Sequence, residues 1–171
     1  MINFSPSNAA LALRQECDSD REFLRGLYAS TRREEMTASG WNANQIDAFL
    51  AEQFRLQSQH YATTFTDAEF WILEHRGQPI GRLYLDERDD EFRVIDIALV
   101  PESRGLGLGG QLLKDLQAFA EARNKCIRIH VEQNNPAMSL YRRLGFEPLE
   151  EHGIYLLMEW CALELNPANS Q

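Results

Sequence analysis

Apolar residues recur along this chain at two spacings, every three to four positions in some stretches and every second position in others, and the switches mark out its elements. Leu11-Ala12-Leu13-Arg14 reads as a short first strand. Ser19 and Glu22 have the S-x-x-E spacing of a capping box. Phe23, Leu24, Leu27, Tyr28 and Thr31 follow at helical spacing, and Gly40 supports a stop. Asn42 or Asn44 can cap a second helix, whose inward stripe is Ile46, Phe49, Leu50, Phe54 and Gln57.

The middle of the chain turns to strands. Phe70 to Glu74 forms one, Arg76-Gly77-Gln78-Pro79 a turn, and Ile80 to Leu85 the return strand. Asp86 to Glu91 predicts a charged, solvated hairpin tip. The next strand, Arg93 to Val100, is apolar at Val94, Ile95, Ile97, Ala98, Leu99 and Val100, which predicts burial on both faces. Leu112, Leu113, Leu116, Phe119 and Ala120 make a helical stripe, and Ile127 to Val131 a strand. Ala137, Leu140, Tyr141 and Leu144 make a short helix that Gly145 ends. Tyr155 to Trp160 is the final strand, and Asn166 to Gln171 reads as a frayed end. With no repeat and no linker, the pattern predicts one mixed α/β domain over 1–171, its strand and two helices in 1–65 and its sheet core in 66–165.

Composition narrows the function. The chain has 171 residues, 44% hydrophobic and 25% charged, as an ordinary globular domain has. No stretch approaches the roughly 20 apolar residues that span a bilayer, and Met1 to Pro6 lacks the basic and apolar blocks of a signal peptide, so no membrane partner and a cytoplasmic location are expected. A formal net charge of -9 argues against nucleic acid, whose phosphates demand a basic face. Cys17, Cys126 and Cys161 are widely spaced and odd in number, which predicts reduced thiols. His60, His75, His130 and His152 show no metal-ligand spacing, and no metal is expected.

The strongest chemical signal is Arg104-Gly105-Leu106-Gly107-Leu108-Gly109-Gly110, which joins a buried strand to a helix. Glycines let backbone N–H groups point at an anion, and a helix start adds about half a positive charge. Two phosphate-binding patterns overlap here. Gly105-x-Gly107-x-x-Gly110 fits a dinucleotide fingerprint, with Glu132 placed as the ribose acid. Arg104-x-x-Gly107-x-Gly109 fits the pyrophosphate loop of acetyltransferases. Too little chain follows Glu132 to complete a doubly wound sheet, which disfavours a nicotinamide oxidoreductase.

Asn134, Ala137, Leu140, Tyr141, Gly145 and Phe146 then match N-x-x-A-x-x-L-Y-x-x-x-G-F, and the sequence resembles the GNAT superfamily of N-acetyltransferases over about residues 70 to 160. The resemblance implies a mixed, mostly antiparallel sheet flanked by helices, with two central parallel strands that splay apart. Acetyl-CoA would lie between them as acyl donor, its pantetheine pairing with Ile97, Ala98 and Leu99 and its pyrophosphate held by Arg104, Gly105, Leu106, Gly107, Leu108, Gly109 and Gly110. Asn134 would bond the pantetheine or cap the following helix. The implied reaction is direct transfer of acetyl to a primary amine of a small molecule, protein or peptide, and the chain is compatible with a homodimer. The alternative is a non-catalytic acyl-CoA-binding sensor or interaction module of the same fold.

Such a reaction sets physical demands. An amine with a pKa near 10.4 is neutral in fewer than about one molecule in a thousand at pH 7, so a proton must leave. The resemblance implies a backbone N–H near Leu99 as the oxyanion donor, and Tyr141 as the acid for the departing thiolate, unless it only packs. Glu74, Asp96, His130 and Glu132 lie on central strands as candidate bases. Asp96 leads because it interrupts an apolar strand and needs a partner or a cleft. Tyr28, Arg32, Glu35, Trp41, Phe49, Gln53 and Gln57 are available to an acceptor, and no motif names it.

Overall fold

The computed structural model describes residues 1–162, so the expected frayed end at Asn166–Gln171 lies outside the described residues. The elements run β1 (Leu11–Gln15), α1 (Arg21–Met36), α2 (Ala43–Thr64), β2 (Glu69–His75), β3 (Gln78–Glu87) and β4 (Glu91–Leu99), then α3 (Leu108–Glu121), β5 (Cys126–Glu132), α4 (Met138–Arg143), β6 (Glu147–His152) and β7 (Tyr155–Trp160). The described strands form one sheet in the order β1-β2-β3-β4-β5-β7-β6. Every neighbouring pair is antiparallel except β4 and β5. Among the described residues no helix is long and apolar enough to cross a membrane.

Consecutive apolar residues in β2 are all buried because helices cover both faces. Trp71 and Leu73 join the larger core with Leu112, Leu113 and Leu116 of α3. Ile72, between them, joins the smaller core under Leu24, Leu27 and Tyr28 of α1 and Ile46, Leu50 and Phe54 of α2. The period of two thus assigns alternate residues to opposite layers. The β2–β3 hairpin closes through Arg76 and Gly77, both at positive φ (52° and 78°), the backbone of a two-residue turn matched to strand twist.

Several sequence expectations change. The Ser19–Glu22 box is not formed. A 3₁₀ turn over Asp18–Asp20 precedes α1, and the Asp20 carboxylate accepts the Cys17 N–H at 2.9 Å while pairing with both terminal nitrogens of Arg14 at 2.7 Å. Asn42 does cap α2, exchanging hydrogen bonds with Gln45 in a full box. Phe49 leaves the predicted stripe and meets Trp41 edge-on at the surface, ring centroids 5.3 Å apart.

The charged tip is shorter than Asp86–Glu91 and is not all solvated. Glu91 opens β4 and is 1% exposed, because Arg88, Arg93 and Arg128 all donate to its carboxylate. β6 was not expected from the sequence at all. It is an exposed edge strand that buries nothing and so carries no hydrophobic alternation.

The reduced-thiol expectation also fails. Ile127 pairs with Trp160, which places Cys126 opposite Cys161, and the two form a disulfide with Cα atoms 4.4 Å apart. The β6–β7 hairpin brings back a cysteine 35 residues away, and linear spacing cannot show that. Cys17 is free and exposed.

Candidate active site at the strand splay

β4 and β5 stay paired for only four positions, from Glu91 with Cys126 to Val94 with Ile129. On its other side β4 carries a bulge: Tyr84 partners Asp96 and Leu85 partners Val94, leaving Ile95 unmatched. A bulge bends its strand, and the parallel pairing ends at this residue. Beyond it Ile95, Ile97, Ala98 and Leu99 are half-buried and not enclosed on both faces as the apolar run predicted.

The splayed edge offers backbone groups. Val100 N–H bonds Ile80 C=O at 2.8 Å, so by antiparallel alternation Ala98 turns its backbone to β3, while Ile97 and Leu99 turn theirs, including the Leu99 N–H, toward the gap. The Leu99 carbonyl accepts from Arg104 Nε at 2.8 Å, and Arg104 Nη2 donates to Ser30 Oγ of α1 at 2.9 Å.

At the mouth of the gap a 3₁₀ turn over Pro101–Ser103 leads into the glycine loop. Gly107 stands immediately before α3 at φ 80°, in the left-handed region that a side chain would strain. Gln111 closes onto the Gly107 carbonyl at 2.9 Å, so the N–H groups of Leu108, Gly109 and Gly110 open the helix without intrahelical acceptors. Free amides and a positive helix end suit a diphosphate.

Tyr141 of α4 is 4% exposed and packs edge-on against Phe146. Burial, and then the charge of nearby Asp96, push its phenol above the ordinary value, so it stays a proton donor at neutral pH. Among the described residues its hydroxyl has no hydrogen-bond partner. Tyr141 follows β5 and Asp96 lies on β4, near enough for the Asp96 charge to act on the phenol. Asn134 does not cap the helix that follows it: Asn135 Oδ1 accepts the Ala137 N–H at 2.8 Å, leaving the Asn134 side chain free of that duty.

Asp96 is the centre of a polar network that the sequence did not reveal. Its Oδ2 accepts from Arg82 Nη2 at 2.6 Å and from the Tyr61 hydroxyl at 3.0 Å, while Oδ1 has no partner among the described residues. Arg82 is 3% exposed, also donates to Gln57 at 3.0 Å, and keeps a buried Nε with no acceptor. Burial is the largest influence and opposes its charge, but Asp96, together with Tyr84 and Tyr61, raises Arg82 above its ordinary value. Burial and then Asp96 raise the Tyr61 phenol. One signal could have identified Arg82: it is the single charge in the run Ile80–Leu85.

The other candidate bases are occupied or remote. Glu74 accepts from Arg14 Nε at 2.7 Å, on the β1 side of the sheet. His130 lies beside Arg93, and burial followed by the Arg93 charge lowers it, which favours the neutral ring. Glu132, at the end of β5, is paired with Arg32 of α1 at 3.0 and 2.5 Å. Of the acceptor-side candidates, Tyr28 packs on Phe54 and Glu35 touches Arg32 at 3.4 Å. Gln53 is half-buried on α2 and makes no side-chain hydrogen bond among the described residues, and Trp41 lies at the surface. Cys126, Cys161 and Glu159 bring donor atoms within 4.8 Å of one another, but both sulfurs are committed to the disulfide.

Comparisons with known proteins agree with this geometry. Residues 66–148 match the acetyltransferase (GNAT) domain model. The chain is 33% identical over 95 residues to the 5-NmdU N-acetyltransferase of Pseudomonas phage PaMx11, aligning 52% of this chain with 67% of that one. It is 41% identical over 61 residues to the mycothiol acetyltransferase of Corynebacterium aurimucosum, covering 34% of this chain and only 20% of that protein. Among solved structures, the PaiA N-acetyltransferase of Thermoplasma acidophilum in complex with coenzyme A superposes with a TM-score of 0.66 at 18% identity, over 89% of this chain and 99% of that one. The bulged, splayed strand pair, the glycine loop at its mouth and these matches together place the chain in the GNAT family of N-acetyltransferases.

Proposed function

We propose that the protein transfers an acetyl group from acetyl-CoA to a primary amine by direct attack. The observation that carries this reading is the gap between β4 and β5 with unpaired helix amides at its mouth. A ligand that has both an extended amide arm and a diphosphate finds partners for each there. The pantetheine would pair with the backbone of Ile97, flanked by Ala98, in the manner of an added strand, and would reach the Leu99 carbonyl only by displacing Arg104 from it. Arg104 to Gly110 would hold the diphosphate through N–H groups, and Asn134 would reach the pantetheine. Backbone donors explain how a protein of net charge -9 can take a polyanion.

Acetyl-CoA supplies the acyl group as a thioester. Asp96 Oδ1, the free oxygen of that carboxylate, accepts the proton that the ammonium must shed before its nitrogen can attack. The Leu99 N–H faces the oxygen on which charge develops. As the carbon–sulfur bond breaks, Tyr141 donates its proton to the thiolate and is reprotonated, through solvent, by the proton that the nitrogen sheds as the amide forms. The names of the relatives support an amine acceptor.

Titration with acetyl-CoA tests the donor. Saturating ligand should raise the melting temperature by several degrees, because binding to the native state alone stabilises it. Release of free CoA should then depend on an added amine. No shift and no calorimetric binding at millimolar acetyl-CoA would refute the reading. Binding without CoA release from any of a broad set of amines would favour the non-catalytic sensor.

A further inference from the structure

Helix α1 is tied to both lips of the splay. Ser30 and Arg32 are two positions apart, hence on opposite flanks of the helix, and each reaches one lip. Ser30 accepts from Arg104, which also holds the Leu99 carbonyl of β4. Arg32 reaches across 100 residues of sequence to Glu132 on β5, donating from Nη1 to Oε2 at 3.0 Å and from Nη2 to Oε1 at 2.5 Å. Glu132 ends β5 three residues beyond Ile129, the last residue of that strand paired with β4. The pair therefore stands on the diverging part of the splay, on the face covered by α1.

We propose that this ion pair is the recognition site of the acceptor, and that the acceptor is a primary amine bearing a carboxylate. The proposal rests on the acetyltransferase reading. The Arg32 fork already holds a carboxylate through two parallel bonds, the geometry in which a guanidinium is most selective. An incoming carboxylate takes the place of Glu132 in the fork, and the ammonium of the same molecule takes the place of Arg32 against Glu132. Every charge keeps a partner through that exchange.

A purely cationic amine has no such route. It satisfies Glu132 and leaves Arg32 with Glu35, which touches it at 3.4 Å from a side chain 48% exposed, a weak and screened replacement. Tyr28 is the other group near Arg32, and its phenol is raised by burial, so it brings no negative charge at neutral pH. The side chains of Arg32 and Glu132 are 32% and 16% exposed, open enough to exchange and sheltered enough for a lost partner to matter.

The test compares glycine, β-alanine, γ-aminobutyrate and L-glutamate, each with its carboxamide, and includes spermidine as a purely cationic amine. CoA release is measured for the wild type, Arg32→Gln, and the double swap Arg32→Glu with Glu132→Arg. At least one amino-carboxylate should exceed its carboxamide by about tenfold or more in kcat/KM, converted as about 1.4 kcal/mol per tenfold. Arg32→Gln should collapse that ratio toward one through KM, with kcat held within about threefold. The swap should regain melting temperature lost in Arg32→Gln, because the strut is rebuilt, without regaining the ratio, because the half-sites are reversed.

A ratio near one in the wild type, an unchanged ratio in Arg32→Gln, or a ratio restored by the swap would each overturn the proposal. Turnover of spermidine with equal rates for acids and amides refutes this inference while leaving the acetyltransferase reading intact. Bound acetyl-CoA with no CoA release from any of these amines overturns this inference, and release from a broader set of amines then decides the acetyltransferase reading separately.

Discussion

Arg82 on β3 donates to Asp96 on β4 at 2.6 Å from a position 3% exposed, so the cleft's leading carboxylate is held by a cation buried in the sheet. Removing one partner strands the other. Arg82→Met leaves Asp96 without its counter-charge and should cost about 2–4 kcal/mol in denaturant unfolding, less than for a fully buried pair because Asp96 keeps some water. Arg82→Met combined with Asp96→Leu should recover part of that loss. A loss in the double variant equal to the sum of the Arg82→Met and Asp96→Leu losses would show that the two charges are not coupled.

Gly81 sets how closely β3 can approach the splayed part of β4. A Cβ built there lies 2.3 Å from the Ala98 carbonyl oxygen and 2.8 Å from Leu99 Cδ2. The oxygen belongs to the backbone and cannot rotate aside, so β4 itself must shift in Gly81→Ala. We expect a loss of about 1–3 kcal/mol of stability, as for an overpacked core, together with a fall in acetyl-CoA affinity measured by calorimetry. A destabilised variant with unchanged affinity would mean that the Ile97–Leu99 backbone does not bind the donor.

Asp20 gives the fold an acid-sensitive anchor. The two hydrogen bonds from Arg14, opposed by burial and helped by the Cys17 N–H, hold its carboxyl well below the usual carboxylate range. Its folded value is lower than its unfolded value of about 3.9, so it adds stability above that pH and loses it as pH falls toward the folded value. Asp20→Asn should therefore be less stable than wild type at pH 7 by about 2–3 kcal/mol. Thermal unfolding at stepped pH should show the difference shrinking below about pH 4.

These networks also show what the sequence could reveal. The glycine loop was readable because its spacing is itself the chemistry, and the α3 stripe of Leu112, Leu113, Leu116 and Ala120 because burial on one face leaves a period. Glu91 was misread because it is neutralised by Arg88, Arg93 and Arg128, and Arg128 comes from another strand. The Arg32–Glu132 pair was hidden for the same reason: each residue was visible on its element, but the contact between them is made only by the tertiary fold. β6 left no trace because an exposed edge strand needs no apolar alternation.

Cys126 and Cys161 link the start of β5 to the end of β7 across a separation of 35 residues. Closing a loop of that length removes about 3–4 kcal/mol of unfolded-chain entropy in the simple model, and measured gains are commonly smaller. Dithiothreitol should therefore lower the wild-type melting temperature. It should leave a Cys126→Ser and Cys161→Ser variant, already less stable by about 2–4 kcal/mol, unaffected. Mass spectrometry after alkylation without reductant should find Cys17 labelled and the other two protected.

Tyr141 poses the choice between packing and chemistry most directly, because its ring is buried in the larger core and its hydroxyl has no partner among the described residues. Tyr141→Phe keeps the ring and removes only that hydroxyl, so stability should change by less than about 1 kcal/mol, as for a hydroxyl with no internal hydrogen bond. Turnover should fall by about 10²–10⁴, the usual contribution of a positioned acid, with acetyl-CoA affinity nearly unchanged. Burial and Asp96 raise the phenol above its ordinary value of about 10, so the proton is retained on the alkaline side. The wild-type kcat should accordingly show no Tyr141-dependent decline up to about pH 10, since the donor remains protonated throughout that range. Full turnover in Tyr141→Phe would leave the residue a packing group and pass the thiolate's proton to water.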